Sequence, residues 1–343
     1  MHDAVLVDDA PDPYAVLAAF GVDGDVTTFV EVGGGWSNRV FRLSTAHGDL
    51  VVKHLRNAWG EPRWRDWLAE GWRLELAARA AGVLAPEPVV VPGAATCVAE
   101  VLRRDGTGAV PVRVHAWVDA AVLPREPVTL AQGREVGGIV ASIHGLGALP
   151  RQPELYDSRS DLAMADSWPD LVRRARAVEA PWADLLDAAE PLVHRADALL
   201  VDDASATVLS HGDIDQTNLL ATHAGLHLID WDVVLPVVPA HDLARAALTM
   251  ASWRAPDVAR AVVDGYRRAT GAEIGLQPTD LGPALASRLG WIRFGVDRYA
   301  DARGSGIPAR HDEPDIEALL DDLERRVTIA EHLDEWLASR GAQ

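Results

Sequence analysis

The sequence predicts an α+β protein in two parts, a small antiparallel sheet with one helix followed by a larger, mainly helical part. Two observations predict this arrangement. Up to about residue 118, segments rich in Val, Leu, Phe and Thr are short and separated by glycine-containing turns, as antiparallel strands are. Beyond that point most apolar residues recur at helical spacing. We therefore expect an N-terminal part over 1–114, a hinge over 115–119 and a helical part over 120–343.

The N-terminal part begins with a short apolar segment, which predicts a helix over 14–20. Glycine turns at Gly33–Gly35 and His47-Gly48 separate the next three strands, which form a meander that carries Lys53 on its third strand. Apolar residues at helical spacing then predict a helix that Gly82 ends. The expected strands are 27–32, 39–45, 49–55, 88–91, 96–103 and 110–118, with the helix over 61–81.

The C-terminal part is predicted to be helical with one exception. Between residues 206 and 235, two short apolar strands, 207–210 and 226–230, bracket a polar loop. The expected helices are 129–146, 167–179, 182–200, 240–253, 256–269, 277–300 and 314–339.

Composition narrows the classes of function. The net charge of −19 argues against nucleic acid as a partner, because phosphate backbones attract basic surfaces. Cys97 is the single cysteine, the N-terminus lacks the basic flank and apolar run of a signal peptide, and no apolar run is long enough to span a membrane. We expect a cytoplasmic protein without a membrane segment. Residues 119–343 hold 36 acidic and 21 basic side chains, which would either attract a cationic substrate or form an ordinary acidic surface.

One basic residue differs from all the others. Lys and Arg together number 32, and Lys53 is the only lysine among them. Lysine carries a compact point charge on a flexible stem, which suits a site where a cation must reach phosphate oxygens. Lys53 is therefore a candidate phosphate-binding residue.

The polar loop holds the other candidate groups. Asp213 and Asn218 lie five residues apart between the two short strands, and Asp230 ends the second strand. An aspartate can accept the proton of an attacking hydroxyl, while amide and carboxylate oxygens suit Mg²⁺. A lone pair of Asp and Asn at this spacing is typical of ordinary loops, but the combination of strand, loop, strand and Asp230 favours phosphoryl transfer.

A glycine-rich turn precedes the second strand. Gly33, Gly34, Gly35, Ser37 and Asn38 would let backbone N–H groups approach phosphates. The turn lacks the pattern of a P-loop, and no helix follows it as one would in a dinucleotide-binding turn.

The run HGDIDQTNLL followed by LIDWD resembles the aminoglycoside phosphotransferase and choline kinase family, the small-molecule branch of the protein-kinase-like fold. The resemblance extends from about Val26 to the HDLA motif at 241–244. It implies a bilobal fold in which Asp213 is the catalytic base, Asn218 and Asp230 bind the metal, and residues 33–38 cover the phosphates.

The resemblance also implies the residues that position the nucleotide. Lys53 would pair with a carboxylate of the following helix, for which we prefer Glu70 and keep Glu75 in reserve. Residues 113–118, among them His115 and Trp117, match the hinge whose backbone would bind the adenine edge. Asp242 would support the catalytic loop, and His211 and His144 would be structural.

These expectations point to transfer of the γ-phosphate of ATP or GTP, with Mg²⁺, to a hydroxyl of a small molecule. The acceptor would be an aminoglycoside or another hydroxylated antibiotic, which would make the protein a resistance enzyme. An amino alcohol, a sugar or a homoserine-like primary metabolite is the alternative, and a catalytically silent nucleotide-binding regulator is a third. His-Gly-Asp in place of His-Arg-Asp, and the short stretch between Asp230 and His241, argue against a protein substrate. The oligomeric state stays open.

Overall fold

The computed structural model describes residues 9–33, 38–56, 63–94, 96–156, 167–201, 205–305 and 315–339. Contacts divide the chain into one unit of residues 1–122 and 218–234, and another of 123–217 and 235–343. The expected division placed all of 120–343 in one part. Segment 218–234 belongs to the first unit instead, because its strand pairs with residues 121–122. The α+β class is confirmed.

A five-stranded antiparallel sheet forms the centre of the first unit, in the order β1-β2-β3-β5-β4. On β3, Lys53 lies opposite Val40 on one side and Arg113 on the other. One face of the sheet is covered by buried apolar side chains, including Phe41 and Val52. The strands are β1 (Val26–Val32), β2 (Arg39–Thr45), β3 (Gly48–His54), β4 (Ala99–Leu102) and β5 (Ala109–Ala116).

Two helices accompany this sheet, α1 (Pro13–Phe20) and α2 (Trp64–Ala80). The Asp12 side chain accepts a hydrogen bond from the Ala15 N–H at 2.9 Å and so caps the start of α1. Helix α1 ends at Gly21, whose φ of 60° suits glycine. Apolar side chains of α1 join the same core as Phe41 and Val52.

A second sheet of three short strands, β6 (Ala121–Val122), β8 (Leu219–Thr222) and β9 (Gly225–Leu228), completes the first unit. The segment after β9 packs closely on α2. A Cβ atom added at Gly71 would lie only 2.1 Å from the Trp231 carbonyl oxygen. The absence of a side chain at Gly71 therefore lets α2 and residues 230–232 approach each other.

The second unit is mainly helical. Strands β7 (Val208–Ser210) and β10 (Leu235–Val237) pair antiparallel. Glycines bring helices α3 and α8 together, since a Cβ at Gly137 would meet the Val262 carbonyl oxygen at 2.0 Å. The helices are α3 (Leu130–Gly145), α4 (Trp168–Ala177), α5 (Ala183–Ala188), α6 (Glu190–Asp197), α7 (Pro239–Met250), α8 (Pro256–Thr270), α9 (Gly282–Ser305), α10 (Ile316–Glu331) and α11 (Leu333–Ala338).

The elements differ from expectation in a few places. Residues 88–91 form no strand beyond an isolated bridge at Pro88. The single helices expected over 182–200 and 314–339 are each divided in two. Asp230 does not end a strand, because β9 stops at Leu228. None of the helices within the described ranges is long and apolar enough to cross a membrane.

Candidate active site

The Lys53 ammonium group lies between two carboxylates of its own unit. Its Nζ atom is 2.5 Å from Asp230 Oδ1 and 2.5 Å from Asp232 Oδ2. Strand β3 fixes the lysine stem, and the turn after β9 supplies both aspartates. The structure thus brings together Lys53, the predicted phosphate-binding cation, and Asp230, a predicted metal ligand.

The turn that presents Asp230 has an unusual backbone. Asp230 has a φ of 68°, in the left-handed region that aspartate tolerates better than bulky residues do. The Ile229 N–H donates to the Asn218 carbonyl oxygen at 2.9 Å, so the residues before β8 and after β9 lie side by side. This pairing continues the β8–β9 hairpin and places the Asn218 and Asp230 backbones close together.

Asp232, Arg113, Glu75 and Lys53 form what we call the ion-pair chain. The Arg113 guanidinium donates through Nη1 to Asp232 Oδ1 at 2.5 Å and through Nη2 to Glu75 Oε2 at 2.6 Å. The other oxygen of Glu75 lies 3.0 Å from His115 Nε2. Arg113 and Glu75 are completely buried, at 1% and 0% side-chain exposure. Charges so deeply buried persist only when paired with opposite charges.

The electrostatics keep the ion-pair chain charged. Burial by itself lowers the pKa of Lys53, but the Asp230 and Asp232 carboxylates raise it above its ordinary value. Burial raises the pKa of Asp232, yet Lys53 and Arg113 hold it well below the ordinary range. The pKa of Glu75 is also lowered, since the His115 hydrogen bond and the Arg113 charge outweigh burial. All four members of the ion-pair chain are therefore charged at neutral pH.

The predicted pair of Lys53 and Glu70 does not form. Glu70 is buried, but it binds Arg73 of its own helix at 2.7 Å. Lys53 takes its partners from the segment after β9 instead. Glu75, kept in reserve, faces the site yet reaches Lys53 only through Arg113 and Asp232. Both oxygens of Glu75 are occupied, which explains why the direct pair is absent.

The glycine-rich turn is described only at its ends. Gly34, Gly35 and Ser37 lie outside the described residues. Gly33 is exposed, and a Cβ added there would meet nothing within 4 Å. Asn38 donates from Nδ2 to Asp232 Oδ2 at 3.4 Å and accepts from the Arg56 N–H at 2.8 Å. The structure thus connects the end of this turn to Asp232.

The predicted hinge residues continue β5. His115 lies opposite Val51 in the sheet, and its ring binds Glu75 of the ion-pair chain. The Trp117 N–H donates to the Asp49 carbonyl oxygen at 2.9 Å, so this backbone donor is occupied within the protein. The adenine-binding role of this segment stays a prediction.

In the second unit, the predicted catalytic base has a cationic neighbour. Asp213 Oδ1 lies 2.8 Å from Arg245 Nη2, and the Asp213 side chain is about half exposed, at 49%. The preceding Gly212 has a φ of 78°, which a glycine adopts without strain. Arg245 lies on α7, so that helix fixes the orientation of the carboxylate.

Buried hydrogen bonds support the loop that carries Asp213. Asp242 Oδ2 accepts from Ser210 Oγ at 2.7 Å and lies 3.0 Å from His144 Nε2, whose other nitrogen is 3.2 Å from Tyr266 Oη. Burial raises the pKa of Asp242, but the bond from His144 and the nearby charges bring it below the ordinary value. Inside the loop, the Asp213 N–H donates to His211 Nδ1 at 3.3 Å.

A further anchor comes from Gln216, which is buried. Its Nε2 donates to the Thr249 carbonyl oxygen at 2.7 Å, to Ser252 Oγ at 3.1 Å and to the Glu126 carbonyl oxygen at 3.3 Å. Thr249 is on the same helix as Arg245. The loop is therefore fastened to α7 at two points, which holds Asp213 in place.

The sequence did not single out Arg113, Arg245 or Gln216. For Asp232 it left two interpretations open, a further metal or substrate contact and an ordinary surface residue. Arg113 lies in a strand among many other arginines, so nothing local marks it as buried. Gln216 stands within the quoted HGDIDQTNLL run, and its position there was the one available signal. Asp232 follows Asp230 by two residues, and only the fold shows that it faces Lys53.

The donor set around Asp230 fits Mg²⁺. Asp230 and Asn218 offer carboxylate and amide oxygens, and Mg²⁺ is commonly bound by one or two such groups together with substrate phosphates. Within the described ranges no three His, Cys, Asp or Glu side chains cluster as a dedicated metal cage. The residues thus suit a metal that arrives with a nucleotide.

Comparison with known proteins places these features in a family. The model of the phosphotransferase enzyme family matches residues 28–278, well over half of the chain. No curated protein sequence matches the chain.

Solved structures share the fold over nearly the whole chain. A spectinomycin phosphotransferase in complex with ADP and spectinomycin has a TM-score of 0.65 and 15% identity, covering 94% of this chain and 97% of its own. An aminoglycoside phosphotransferase from Alicyclobacillus acidocaldarius has a TM-score of 0.60 and 16% identity, with coverages of 98% and 97%. An ethanolamine kinase from Plasmodium vivax has a TM-score of 0.56 and 12% identity, with coverages of 93% and 86%. At these identities the likeness shows the fold alone.

Proposed function

The chain belongs to the phosphotransferase enzyme family, and we propose that it transfers the γ-phosphoryl group of ATP or GTP to a hydroxyl of a small molecule. The observation that carries the proposal is the Lys53 ammonium group held 2.5 Å from Asp230, with Asn218 beside the same turn. These are the cation and the oxygen ligands that a metal–nucleotide complex requires.

Each candidate residue has a separate part in the proposed reaction. Lys53 would bind phosphate oxygens, and Asp230 and Asn218 would hold Mg²⁺. When bound, Mg²⁺ would neutralise the charge on the phosphates and orient them. The end of the glycine-rich turn, through Asn38, would help to fix the same region from β2.

Asp213 would act on the acceptor. Its carboxylate would hydrogen-bond the acceptor hydroxyl, align the oxygen with the γ-phosphorus and take up the hydroxyl proton. The new bond joins the acceptor oxygen to the γ-phosphorus, and the bond from that phosphorus to the β–γ bridging oxygen breaks, releasing the nucleoside diphosphate. Arg245, Gln216 and Asp242 would keep the loop in the orientation that this step needs.

We propose a hydroxylated antibiotic such as an aminoglycoside as the acceptor. In support, two of the solved structures with the same fold are phosphotransferases named for spectinomycin and for aminoglycosides. The ethanolamine kinase keeps the amino-alcohol alternative open. The acidic residues of 119–343 suit a cationic acceptor of either kind.

The test is direct product detection. Purified protein would be incubated with Mg²⁺, ATP or GTP and a panel of aminoglycosides, spectinomycin, macrolides, sugars and amino alcohols, and mass spectrometry would report addition of one phosphoryl group. We expect a product with at least one class, and a rate about 10²–10⁴-fold lower for Asp213→Asn.

The matched control is Asp264→Asn, which makes the same change at an exposed pair with Arg267. It should leave the rate unchanged. Nucleotide binding without any product across the panel would favour the silent regulator, and equal rates for Asp213→Asn and wild type would refute the assigned base.

A further inference from the structure

We propose that Asp232, held by Arg113, is the residue that positions Lys53 for the nucleotide, in place of a direct carboxylate partner on helix α2. The inference deepens the proposed function and rests on it. It assigns to the ion-pair chain a role that the sequence had given to Glu70.

The two carboxylates beside Lys53 differ in how fully their oxygens are occupied. Asp232 uses both carboxylate oxygens, Oδ1 for Arg113 at 2.5 Å and Oδ2 for Lys53 at 2.5 Å, and Oδ2 also accepts from Asn38 at 3.4 Å. The Asp232 side chain is only 9% exposed, whereas that of Asp230 is 39% exposed. Asp230 is thus the more accessible carboxylate for a metal, and Asp232 is locked among its partners.

Helix α2 has no direct carboxylate contact with the lysine and reaches it through other side chains. Glu75 is fully buried, and Arg113 and His115 occupy its two oxygens. Arg113 lies directly opposite Lys53 across β3 and β5, so its planar guanidinium can bridge Glu75 and Asp232 at once. Helix α2 therefore contacts Lys53 indirectly, through Arg113 and Asp232.

Binding of a nucleotide would change the partners of Lys53. Asp230 would turn to the metal, and the Lys53 ammonium would then lose one of its two carboxylate partners. If Asp232 moved away, the buried Arg113 guanidinium would keep Glu75 but lose the acceptor of its Nη1 group, and an unsatisfied buried donor is costly. Asp232 therefore remains beside Lys53 and fixes its stem while the ammonium binds phosphate.

Gly71 provides independent support, because it lies one turn before Glu75 on α2. The Trp231 carbonyl oxygen would be only 2.1 Å from a Cβ at this position. The helix thus contacts the 230–232 turn twice, once directly through Gly71 and once through Glu75 and Arg113. Both contacts fix the backbone from which Asp232 reaches Lys53.

The experiment is a double-mutant cycle between Asp232→Asn and Lys53→Met, measured as the affinity for MgATP by calorimetry, so that no acceptor is needed. We expect each single variant to weaken nucleotide binding about tenfold or more, and the double variant to bind no worse than Lys53→Met alone. Such non-additivity is the signature of a residue that acts through another. Additive losses would overturn the proposal.

The alternative role of Asp232, as a direct metal ligand, predicts a different result. A lost metal ligand would raise the Mg²⁺ concentration needed for half-maximal binding, whereas loss of a positioning residue would leave it unchanged. Asp232→Glu keeps the charge and should recover part of the affinity. A shifted Mg²⁺ requirement, or no recovery by Asp232→Glu, would refute the positioning role.

Two controls separate this inference from folding and from the proposed function. Glu100→Gln likewise replaces a carboxylate by an amide, at the exposed Arg65 pair on β4 of the same sheet, and should bind MgATP like wild type. Cys97 is buried near Arg113 and should stay protected from thiol reagents in every folded variant. If wild type binds no nucleotide, the proposed function fails. If wild type binds nucleotide and Asp232→Asn binds it equally well, the positioning role alone fails.

Discussion

Replacing Gly71 with alanine tests how the 230–232 turn is held against helix α2. Alanine is the better helix former by about 0.8–1.0 kcal/mol, so helix propensity alone predicts a more stable protein. The added Cβ, however, would lie 2.1 Å from the Trp231 carbonyl oxygen and 3.3 Å from its carbon. Because these are backbone atoms, no side-chain rotation relieves the clash, and the turn has to move by about 1 Å.

The two effects oppose each other, and their magnitudes decide the sign. Overpacking of this kind lowers the free energy of unfolding by about 1–3 kcal/mol. Over most of that range the loss exceeds the gain from helix propensity. We expect a net loss of up to about 2 kcal/mol. Because the entropy of unfolding is about 2.1 cal/mol/K per residue, this loss lowers the melting temperature of a chain of 343 residues by up to about 3 °C. Movement of the turn should also carry Asp230 and Asp232 away from Lys53 and lower kcat/KM by about tenfold to a hundredfold.

The assay compares Gly71→Ala with Gly138→Ala by calorimetric melting, by MgATP affinity and by kcat/KM with an acceptor that yields a phosphorylated product. Gly138 also lies within a helix, α3, but a Cβ there would meet nothing within 4 Å. The control should therefore gain stability by up to about 1 kcal/mol and keep its nucleotide affinity. A stabilised Gly71→Ala variant with unchanged affinity would refute the role assigned to this contact.

Three further predictions follow from other contacts. Arg245→Gln should lower kcat/KM, because the Asp213 carboxylate loses the guanidinium that orients it; an unchanged kcat/KM would show that the pair is irrelevant. The pKa of Asp242 is lowered in the folded protein. The Asp242 carboxylate therefore contributes its full stability above the unfolded pKa, near 3.8, and loses it as pH falls through the folded pKa. Melting temperatures of Asp242→Asn should accordingly vary less with pH in that acidic range than those of wild type. Burial raises the pKa of Cys97 to about 11, so a thiol reagent at pH 7 should label the native protein far more slowly than the urea-unfolded chain, and equal rates would contradict the burial.

The sequence predicted the parts of the site that depend on local order. Lys53 was singled out because it is the one lysine, and it lies on the third strand as expected, within β3. The spacing of Asn218 and Asp230 was informative because the β8–β9 hairpin between them is short and closes on itself. Both features depend on hairpins, β2–β3 and β8–β9, whose two strands are neighbours along the chain.

The partners of these residues could not be predicted in the same way. Arg113 is sixty positions from Lys53, and the register of β3 against β5 decides that they face each other. A shift of one residue would have put Arg113 on the opposite face of the sheet. The choice of Glu70 over Glu75 failed for a similar reason. Residues five apart on a helix point in different directions, and the sequence does not reveal which direction faces the sheet.

The opposed positions on β3 and β5 also show why one is lysine and the other arginine. Arg113 must hold two carboxylates at fixed positions, and its planar group does so with one nitrogen for each. A lysine there would offer one nitrogen in place of two, so either Glu75 or Asp232 would lose a buried hydrogen-bond partner. Lys53 faces the opposite demand in the proposed reaction, where its cation would release Asp230 and bind phosphate. A flexible stem with a single charged atom could do so while Asp232 remains beside it. In a chain that otherwise uses arginine throughout, the single lysine therefore lies at the position in this ion-pair chain where the proposed mechanism requires the cation to change partners.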